Sequence, residues 1–225
     1  MPVFDSLLDL LLPTNCAECS TPPSVYCHVC LSRHKPRSVF RSEAHAPQNS
    51  LSGIALSTLD ENVSKAMSAF KEHNQFAVVR AMVDALLPAE CSVPIDVVVA
   101  APSAKGNFAK RGFVPAELLA QRVARRWRLV HMKSAIWFVR SVADQAALSI
   151  SDRQTNLAGS MAASLRLAGK RVLLVDDIVT TGATLLEASR AVSAAGGSAA
   201  GFVTLAETLR RLEPSPHPAH SQVEP

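Results

Sequence analysis

One stretch, residues 171–184, constrains the fold more than any other part of the chain. It reads RVLLVDDIVTTGAT. Residues 172–175 are apolar throughout, which is typical of a strand covered on both faces in a parallel sheet. Two acids, Asp176 and Asp177, follow this run, and a short turn containing Gly182 leads into a helical pattern. The stretch predicts a buried strand that ends in two carboxylates at a ligand crevice.

The residue types in this stretch suit a sugar that carries a phosphate. Carboxylates accept hydrogen bonds from vicinal hydroxyls, as on a ribose ring. Backbone N–H groups in a turn before a helix bind phosphate, and glycine permits a close approach. The predicted ligand loop consists of Thr180, Thr181, Gly182, Ala183 and Thr184.

Two other interpretations of the acid pair remain open from the residues alone. The first is an ordinary strand–turn–helix junction with solvated acids. The second is a response-regulator receiver, in which an acid pair also follows a Val-rich strand. In a receiver the pair follows the first strand and a later acid is phosphorylated, whereas little chain follows Asp176 here.

The remaining pattern predicts an α/β domain over residues 51–208. Apolar runs alternate with helical patterns, which implies right-handed βαβ units and a doubly wound parallel sheet. Candidate strands are residues 97–101, 135–139, 172–175 and 200–205, with 53–58 as an edge strand. Candidate helices are residues 116–127, 185–195 and 62–87, the last with a possible break near His73 and Asn74.

Four cysteines in the first part of the chain predict a metal site. Cys16, Cys19, Cys27 and Cys30 form a C-x2-C-x7-C-x2-C pattern. Four thiolates give tetrahedral Zn²⁺ without further ligands, so we expect a structural zinc in a ribbon-like module with its linker over residues 1–48. Free thiols or disulfides are the alternative, and His28 and His34 are candidate substitute ligands. Cys91 stands alone and is expected to pack as a small apolar residue.

Charge and hydropathy suggest partners and location. The net charge is +4, but residues 104–140 hold nine Lys or Arg against one acid, Glu117. This excess favours a polyanion, either a phosphorylated small molecule or nucleic acid. The alternative for residues 122–128 is the solvated face of a helix. Residues 3–12 predict a short amphipathic helix, and the proline-rich residues 213–225 predict a disordered tail. No apolar run is long enough to span a membrane, so we expect a cytoplasmic protein.

The acid pair and its loop resemble the signature of type I phosphoribosyltransferases, without a gap over residues 172–184. With the cysteine pattern ahead of it, the chain resembles the ComF family of competence-associated and GntX-like proteins. Phe70-Lys71 stands where the family has a Lys-Phe or similar pair, with the order altered. Other matching positions are Ala101-Pro102-Ser103, Lys110-Arg111-Gly112-Phe113, Arg140, Gln145, Arg153 and Asn156. The family usually has Asn-Gln after that Phe, where this chain has Val114-Pro115.

This resemblance implies binding of phosphoribosyl pyrophosphate with Mg²⁺. The turn after Pro102 would hold pyrophosphate, and a loop bearing Arg140 and Gln145 would cover the substrate. The implied pyrophosphate ligands are Ser103, Ala104 and Lys105, with added charge from Lys110 and Arg111. The implied catalytic set is Asp176, Asp177 and Arg140.

Three functions fit these expectations. The first is a pentosyltransferase that moves phosphoribose to an unknown acceptor. The second, which the family name suggests, is a non-catalytic accessory factor in DNA uptake that contacts single-stranded DNA or competence-machinery proteins. The third is a ligand-sensing regulator on the same fold.

Overall fold

A six-stranded sheet forms the centre of the protein, in the order β1-β2-β8-β7-β3-β4. The computed structural model describes residues 15–43, 46–103, 112–140, 142 and 156–209, with the side chains of 43 and 46–48 excepted. The strands are β1 (Arg37–Glu43), β2 (Ala46–Thr58), β3 (Val97–Ala100), β4 (Val130–His131), β7 (Arg171–Val179) and β8 (Ser198–Glu207). Strand β1 is antiparallel to β2, and the other four pairings are parallel.

The helices lie on both faces of this sheet. They are α1 (His28–Leu31), α2 (Glu61–His73), α3 (Ala77–Leu86), α4 (Pro115–Trp127) and α5 (Ala183–Ala194). Helix α2 begins where the Asp60 side chain accepts a hydrogen bond from the Val63 N–H at 2.8 Å, as an N-cap residue does. It ends where Asn74 adopts a left-handed conformation with φ of 56°. The break expected near His73 and Asn74 is therefore confirmed.

Side chains of β7 divide between two hydrophobic cores. Leu173 and Val175 pack in the core that contains α2, α3 and α4. Val172 and Leu174 pack in the core that contains α5. Because neighbouring residues of a strand point to opposite faces, a strand covered by helices on both sides is apolar throughout. The predicted α/β class with a mostly parallel sheet is confirmed.

The polar segment after the cysteines differs from the linker predicted there. Residues 37–43 form β1, and 53–58 belong to β2, which lies between β1 and β8 instead of at the edge. Val39 of β1 is buried, whereas Phe40 is 61% exposed. An edge strand with one solvated face needs few apolar residues, so its composition resembles that of a linker.

A second, two-stranded sheet holds the segment predicted as a strand at 135–139. There β5 (Ile136–Phe138) pairs antiparallel with β6 (Met161–Ala163), while β4 joins the main sheet beside β3. Helix α5 holds the small sheet through Glu187, which accepts the Met161 N–H at 2.9 Å. Arg190 donates to the Met161 carbonyl at 2.7 Å. These contacts fix the small sheet on the α5 side of the domain.

The expected helix at 3–12 and the expected tail at 213–225 lie outside the described residues. Among the described helices, none combines the length and the apolar character that crossing a bilayer requires.

Candidate functional site

The acid pair lies inside β7, not beyond its end as the sequence predicted. The strand continues to Val179. Its alternation nevertheless changes at the acids, because Ile178 packs against the core on the α2 side and Val179 packs in the α5-side core. Strict alternation from Val175 would place Val179 on the α2 side instead. The side-chain alternation is therefore interrupted at Asp176 and Asp177, although the pairing with β8 continues in register from Asp176 to Val179.

Local hydrogen bonds orient both carboxylates. Asp176 Oδ1 accepts the Asp177 N–H at 2.8 Å, and Asp177 Oδ1 accepts the Ile178 N–H at 2.7 Å. Lys71 of α2 forms an ion pair with Asp177, with Nζ 2.6 Å from Oδ2. Lys71 was singled out from the sequence only as part of a family match, and the structure brings it to the acids.

The two acids differ in their electrostatics. Burial raises the pKa of the Asp176 carboxyl well above its ordinary value, and the negative charge of Asp177 raises it further. The Asp177 N–H and the ammonium of Lys71 oppose this rise in pKa. A half-buried acid beside another acid favours its neutral form. The pair therefore offers one carboxylate held by Lys71 and one carboxyl that resists ionisation.

The loop after β7 has the shape of an anion-binding turn. Gly182 has a φ of +83°, a left-handed conformation that favours glycine. The Ala183 N–H donates to Thr181 Oγ1 at 3.3 Å, and α5 begins at Ala183. N–H groups in the first turn of a helix have no acceptor within the helix. The backbone N–H groups of this loop can therefore donate hydrogen bonds to an anion. The buried Thr181 side chain stabilises the turn through its hydrogen bond with the Ala183 N–H.

Arg41 of β1 lies against this loop. Its Nε donates to the Thr180 carbonyl at 3.1 Å, and its Nη2 forms an ion pair with Glu207 Oε1 at 2.7 Å. A Cβ added to Gly182 would lie 2.6 Å from Arg41 Cγ. Sequence reasoning missed Arg41, because it lies in the segment interpreted as a linker. The sequence carries no signal that would pair it with a loop so far along the chain.

The turn after β3 lies at the same edge of the sheet as the acids. Ala100 pairs with Val175 in the parallel ladder, and the Ala101 N–H donates to the Val175 carbonyl at 2.8 Å. Ser103 follows two residues later and is half-buried. Because Asp176 directly follows Val175, the turn that leaves β3 begins beside the acid pair of β7. The other predicted pyrophosphate ligands, Ala104, Lys105, Lys110 and Arg111, lie outside the described residues.

Comparison with known families decides the class of domain. The model of the phosphoribosyl transferase domain matches residues 108–223, slightly more than half of the chain. The chain belongs to the phosphoribosyl transferase domain family. The match includes β7, the acid pair, the Thr-Thr-Gly loop and α5, the elements described above.

Individual relatives agree with this assignment. The DNA utilization protein YhgH of Escherichia coli K12 is 31% identical over 114 residues, which are 51% of this chain and 50% of that protein. Competence protein F of Haemophilus influenzae is 31% identical over 141 residues, 58% of this chain and 61% of that protein. The predicted resemblance to the ComF family is confirmed. The chain matches about half of the length of the E. coli relative.

Solved structures include one similar chain from an adenine phosphoribosyltransferase of Thermoanaerobacter pseudethanolicus. It is 17% identical, with a TM-score of 0.38, and the alignment covers 66% of this chain and 76% of that one.

Arg140 lies at the base of the segment that the sequence predicted to cover the substrate of this phosphoribosyltransferase domain. Its Nη2 donates to the carbonyls of Asn156 and Ala158 at 2.8 and 3.0 Å. It thereby links residue 140 to residues 156 and 158. Two predicted members of this segment, Gln145 and Arg153, lie outside the described residues.

Phe70, the residue before Lys71, belongs to a cluster of three aromatic rings. Phe70 is fully buried, and its ring centroid lies 5.7 Å from that of Phe113. Phe76 packs edge-on against Phe113 at 5.0 Å and is 41% exposed. Phe76 directly precedes α3 and Phe113 lies just before α4, so the cluster joins the starts of these two helices to α2.

The four predicted metal ligands of the cysteine module come together. The Sγ atoms of Cys16, Cys19, Cys27 and Cys30 all lie within 4.8 Å of one another. A tetrahedral Zn²⁺ with Zn–S bonds of about 2.3 Å needs sulfurs about 3.8 Å apart. The Cys19 and Cys27 sulfurs are 3.7 Å apart. The geometry and chemistry of these donors fit a structural zinc, and nothing else of this kind is found among the described residues.

The environments of the cysteines differ. The Thr21 hydroxyl and its N–H lower the pKa of the exposed Cys19 thiol to about 6. Burial raises the pKa of the Cys30 thiol. A metal ligand must be deprotonated, so binding of zinc would have to release a proton from Cys30.

A buried polar network joins the cysteine module to the sheet. His34 Nε2 lies 2.5 Å from Glu18 Oε1, and His34 Nδ1 lies 2.9 Å from the Ser57 hydroxyl on β2. The Tyr26 hydroxyl donates to the same Glu18 carboxylate. His34 was considered as a substitute zinc ligand, and the structure instead uses it to connect Glu18 with β2. His28 is exposed and also lies outside the cysteine cluster.

Proposed function

We propose that the protein binds phosphoribosyl pyrophosphate at the edge formed by Asp176, Asp177 and residues 180–184. The observation that carries the proposal is the continuity of β7, the loop and α5. One structural unit holds two acids suited to ribose hydroxyls and an amide-lined turn suited to a phosphate. The half-buried turn at Ser103 supports a pyrophosphate position next to the acids.

If the protein is a catalyst, the reaction is a displacement at the anomeric carbon of the ribose. An electron pair on the acceptor forms a bond to that carbon while the carbon–oxygen bond to pyrophosphate breaks. Pyrophosphate leaves with the electrons of the broken bond, and the proton lost by the acceptor passes to pyrophosphate or to water. Positive charge develops on the sugar in the transition state, and the carboxylate of Asp177 favours it electrostatically. Asp176 fixes a hydroxyl, and positioning accounts for much of the gain.

Two cations belong to the proposal. Mg²⁺, bound through the ligand's own oxygens and waters, would neutralise the charge of the pyrophosphate group. The residues of the acid pair fit this arrangement, since Asp177 is already held by Lys71. Structural Zn²⁺ would bind Cys16, Cys19, Cys27 and Cys30, whose spacing suits it.

A second function is favoured by the relatives and by one surface. The names DNA utilization protein and competence protein suggest a role in handling DNA. Helix α4 carries Arg125 and Arg126, and Arg128 follows it, near Trp127. No salt bridge involves these three arginines among the described residues. A basic surface with an aromatic ring can bind single-stranded DNA or a partner that carries negative charge.

Pyrophosphate release separates the two functions. Purified protein is incubated with phosphoribosyl pyrophosphate, Mg²⁺ and a panel of nucleobases and amines, and pyrophosphate is measured over time. Acceptor-dependent release, lost in Asp176→Asn with Asp177→Asn, supports the transferase. Binding of single-stranded DNA that weakens with salt, without release, supports the accessory role instead.

A further inference from the structure

Lys71 is placed to control what the acid pair can bind. Its ammonium lies 2.6 Å from Asp177 Oδ2, and the two side chains are only 18% and 23% exposed. The preceding residue, Phe70, is fully buried and packs against Phe113, which fixes the helix backbone beside the site. Lys71 is therefore a largely buried counter-ion with a fixed position beside Asp177.

The charge of the site follows from these contacts. Two adjacent carboxylates alone would offer oxygen ligands with two negative charges, an arrangement that hard divalent cations prefer. Lys71 places a positive charge on this pair, and burial of Asp176 disfavours its ionised form. A divalent cation at Asp177 would have to displace the ammonium or lie against it, and the repulsion at that distance is large.

A sugar hydroxyl is uncharged and is not repelled by the ammonium of Lys71. Asp177 Oδ1 accepts the Ile178 N–H, and Oδ2 accepts from Lys71. Each carboxylate oxygen can accept a second hydrogen bond, so a hydroxyl can join without removing Lys71. From this geometry we infer that Lys71 is a positioning residue that excludes bare divalent cations from the acid pair and reserves Asp177 for the hydroxyls of the ligand. The inference rests on the proposed binding of a ribose ligand.

Binding of Mn²⁺ alone tests the inference without any ribose ligand. Free Mn²⁺ is measured by electron paramagnetic resonance, with full-length protein and no phosphate compound. The variants are Lys71→Met and Lys71→Gln, which remove the charge, and Lys71→Arg, which keeps it. Lys65→Met is the matched control, because Lys65 lies on the same helix and pairs with exposed Glu61 at 2.9 Å.

The wild type, Lys65→Met and Lys71→Arg should show no saturable Mn²⁺ site. Lys71→Met and Lys71→Gln should gain a saturable Mn²⁺ site, with an affinity at least about tenfold above any residual binding by the wild type. Adding Asp177→Asn should remove this site. A wild type that binds Mn²⁺ at Asp177, or folded Lys71 variants that gain nothing, would overturn the inference. If Lys71→Met does not fold, Lys71→Gln carries the comparison, and Mn²⁺ binding at Asp177 in the wild type overturns the inference in either case. The proposed function is tested separately, by binding of phosphoribosyl pyrophosphate. A failure of that binding would contradict the proposed function and would leave the Mn²⁺ results unchanged.

Discussion

Arg41 Cγ lies 2.6 Å from the place where a side chain on Gly182 would begin. The absence of a side chain at Gly182 thus has two causes, the left-handed φ of +83° and the closeness of Arg41. Arg41 comes from the edge strand β1, far from the loop in sequence. The predicted phosphate loop is therefore shaped partly by the first part of the chain, outside the residues that the family model matches.

Gly182→Ala should lower the free energy of unfolding by about 1–3 kcal/mol. The added methyl group clashes with Arg41 and forces alanine into a left-handed conformation. In an Arg41→Gly background the clash is absent, because both Cγ and the Cβ that would lie 2.8 Å away are removed. The cost of Gly182→Ala should then fall to that of the backbone alone, about 1 kcal/mol. Urea unfolding of the four proteins in this cycle measures the coupling. Strict additivity of the two changes would show that the contact does not shape the loop.

Arg41→Ala should weaken binding of ribose 5-phosphate by at least about tenfold. It releases the Thr180 carbonyl and leaves the buried Glu207 carboxylate without its near partner. Isothermal titration calorimetry measures the affinity. Arg37→Ala is the control on the same strand, since Arg37 is more exposed and lies 3.9 Å from Glu207. Equal affinities for the two variants would contradict the role of Arg41.

The fold was predictable where a single segment carries the pattern. The continuous apolar run of β7, the Val-rich β3 and the break at Asn74 depend on local rules for strands and caps. Strand β1 was not predictable in this way. Its polar sequence is typical of a loop, and its pairing with β2 is decided by one buried face that only the assembled core supplies.

The residues of the candidate site were likewise predictable only where they are contiguous in sequence. Asp176, Asp177 and Gly182 were found because a strand, two acids and a glycine turn are contiguous. Lys71 and Arg41 were not, because each reaches the site from a distant element through one long side chain. The end of β7 was also predicted too early, since acids seldom continue a buried strand and the pairing of residues 176–179 with β8 is visible only in the structure.

The buried carboxyl of Asp176 should make stability depend on pH. Its pKa in the folded protein is raised above the ordinary 3.8, so the folded state holds the proton more tightly than the unfolded state. Stability should therefore fall as pH rises from about 3.8 through the raised folded pKa, and the loss should be complete above it. Asp176→Asn should be more stable than the wild type at pH 8 and similar at pH 4.

Chemical denaturation across this pH range measures the effect. Asp177→Asn is the matched control, because it removes the partner of Lys71 and should bring no gain at pH 8. The wild type is compared with Asp176→Asn and not judged alone, because Asp96 and Glu117, whose pKa values are lowered, gain stability as pH rises. An Asp176→Asn variant that gains nothing over the wild type between pH 4 and pH 8 would contradict the half-buried environment of Asp176.

Zinc content should be one ion per chain, bound by the cysteine cluster. Cys30→Ser should remove the ion, and Cys91→Ser should keep it, since Cys91 bonds to the Val93 carbonyl instead. Cys16, Cys30 and Tyr26 belong to the same core as Leu56 of β2, so chelation should lower Tm as well. Metal analysis and thermal unfolding provide the measurements. A full zinc content in Cys30→Ser would rule out the four-cysteine site.

The central claim is that Asp176, Asp177 and the adjoining loop bind a phosphorylated ribose. Calorimetric titration of phosphoribosyl pyrophosphate with Mg²⁺ into the wild type and into Asp176→Asn with Asp177→Asn tests it most directly. Saturable heat in the wild type and none in the folded double variant is the predicted result. No heat in the wild type, or the same affinity in both proteins, would contradict the claim.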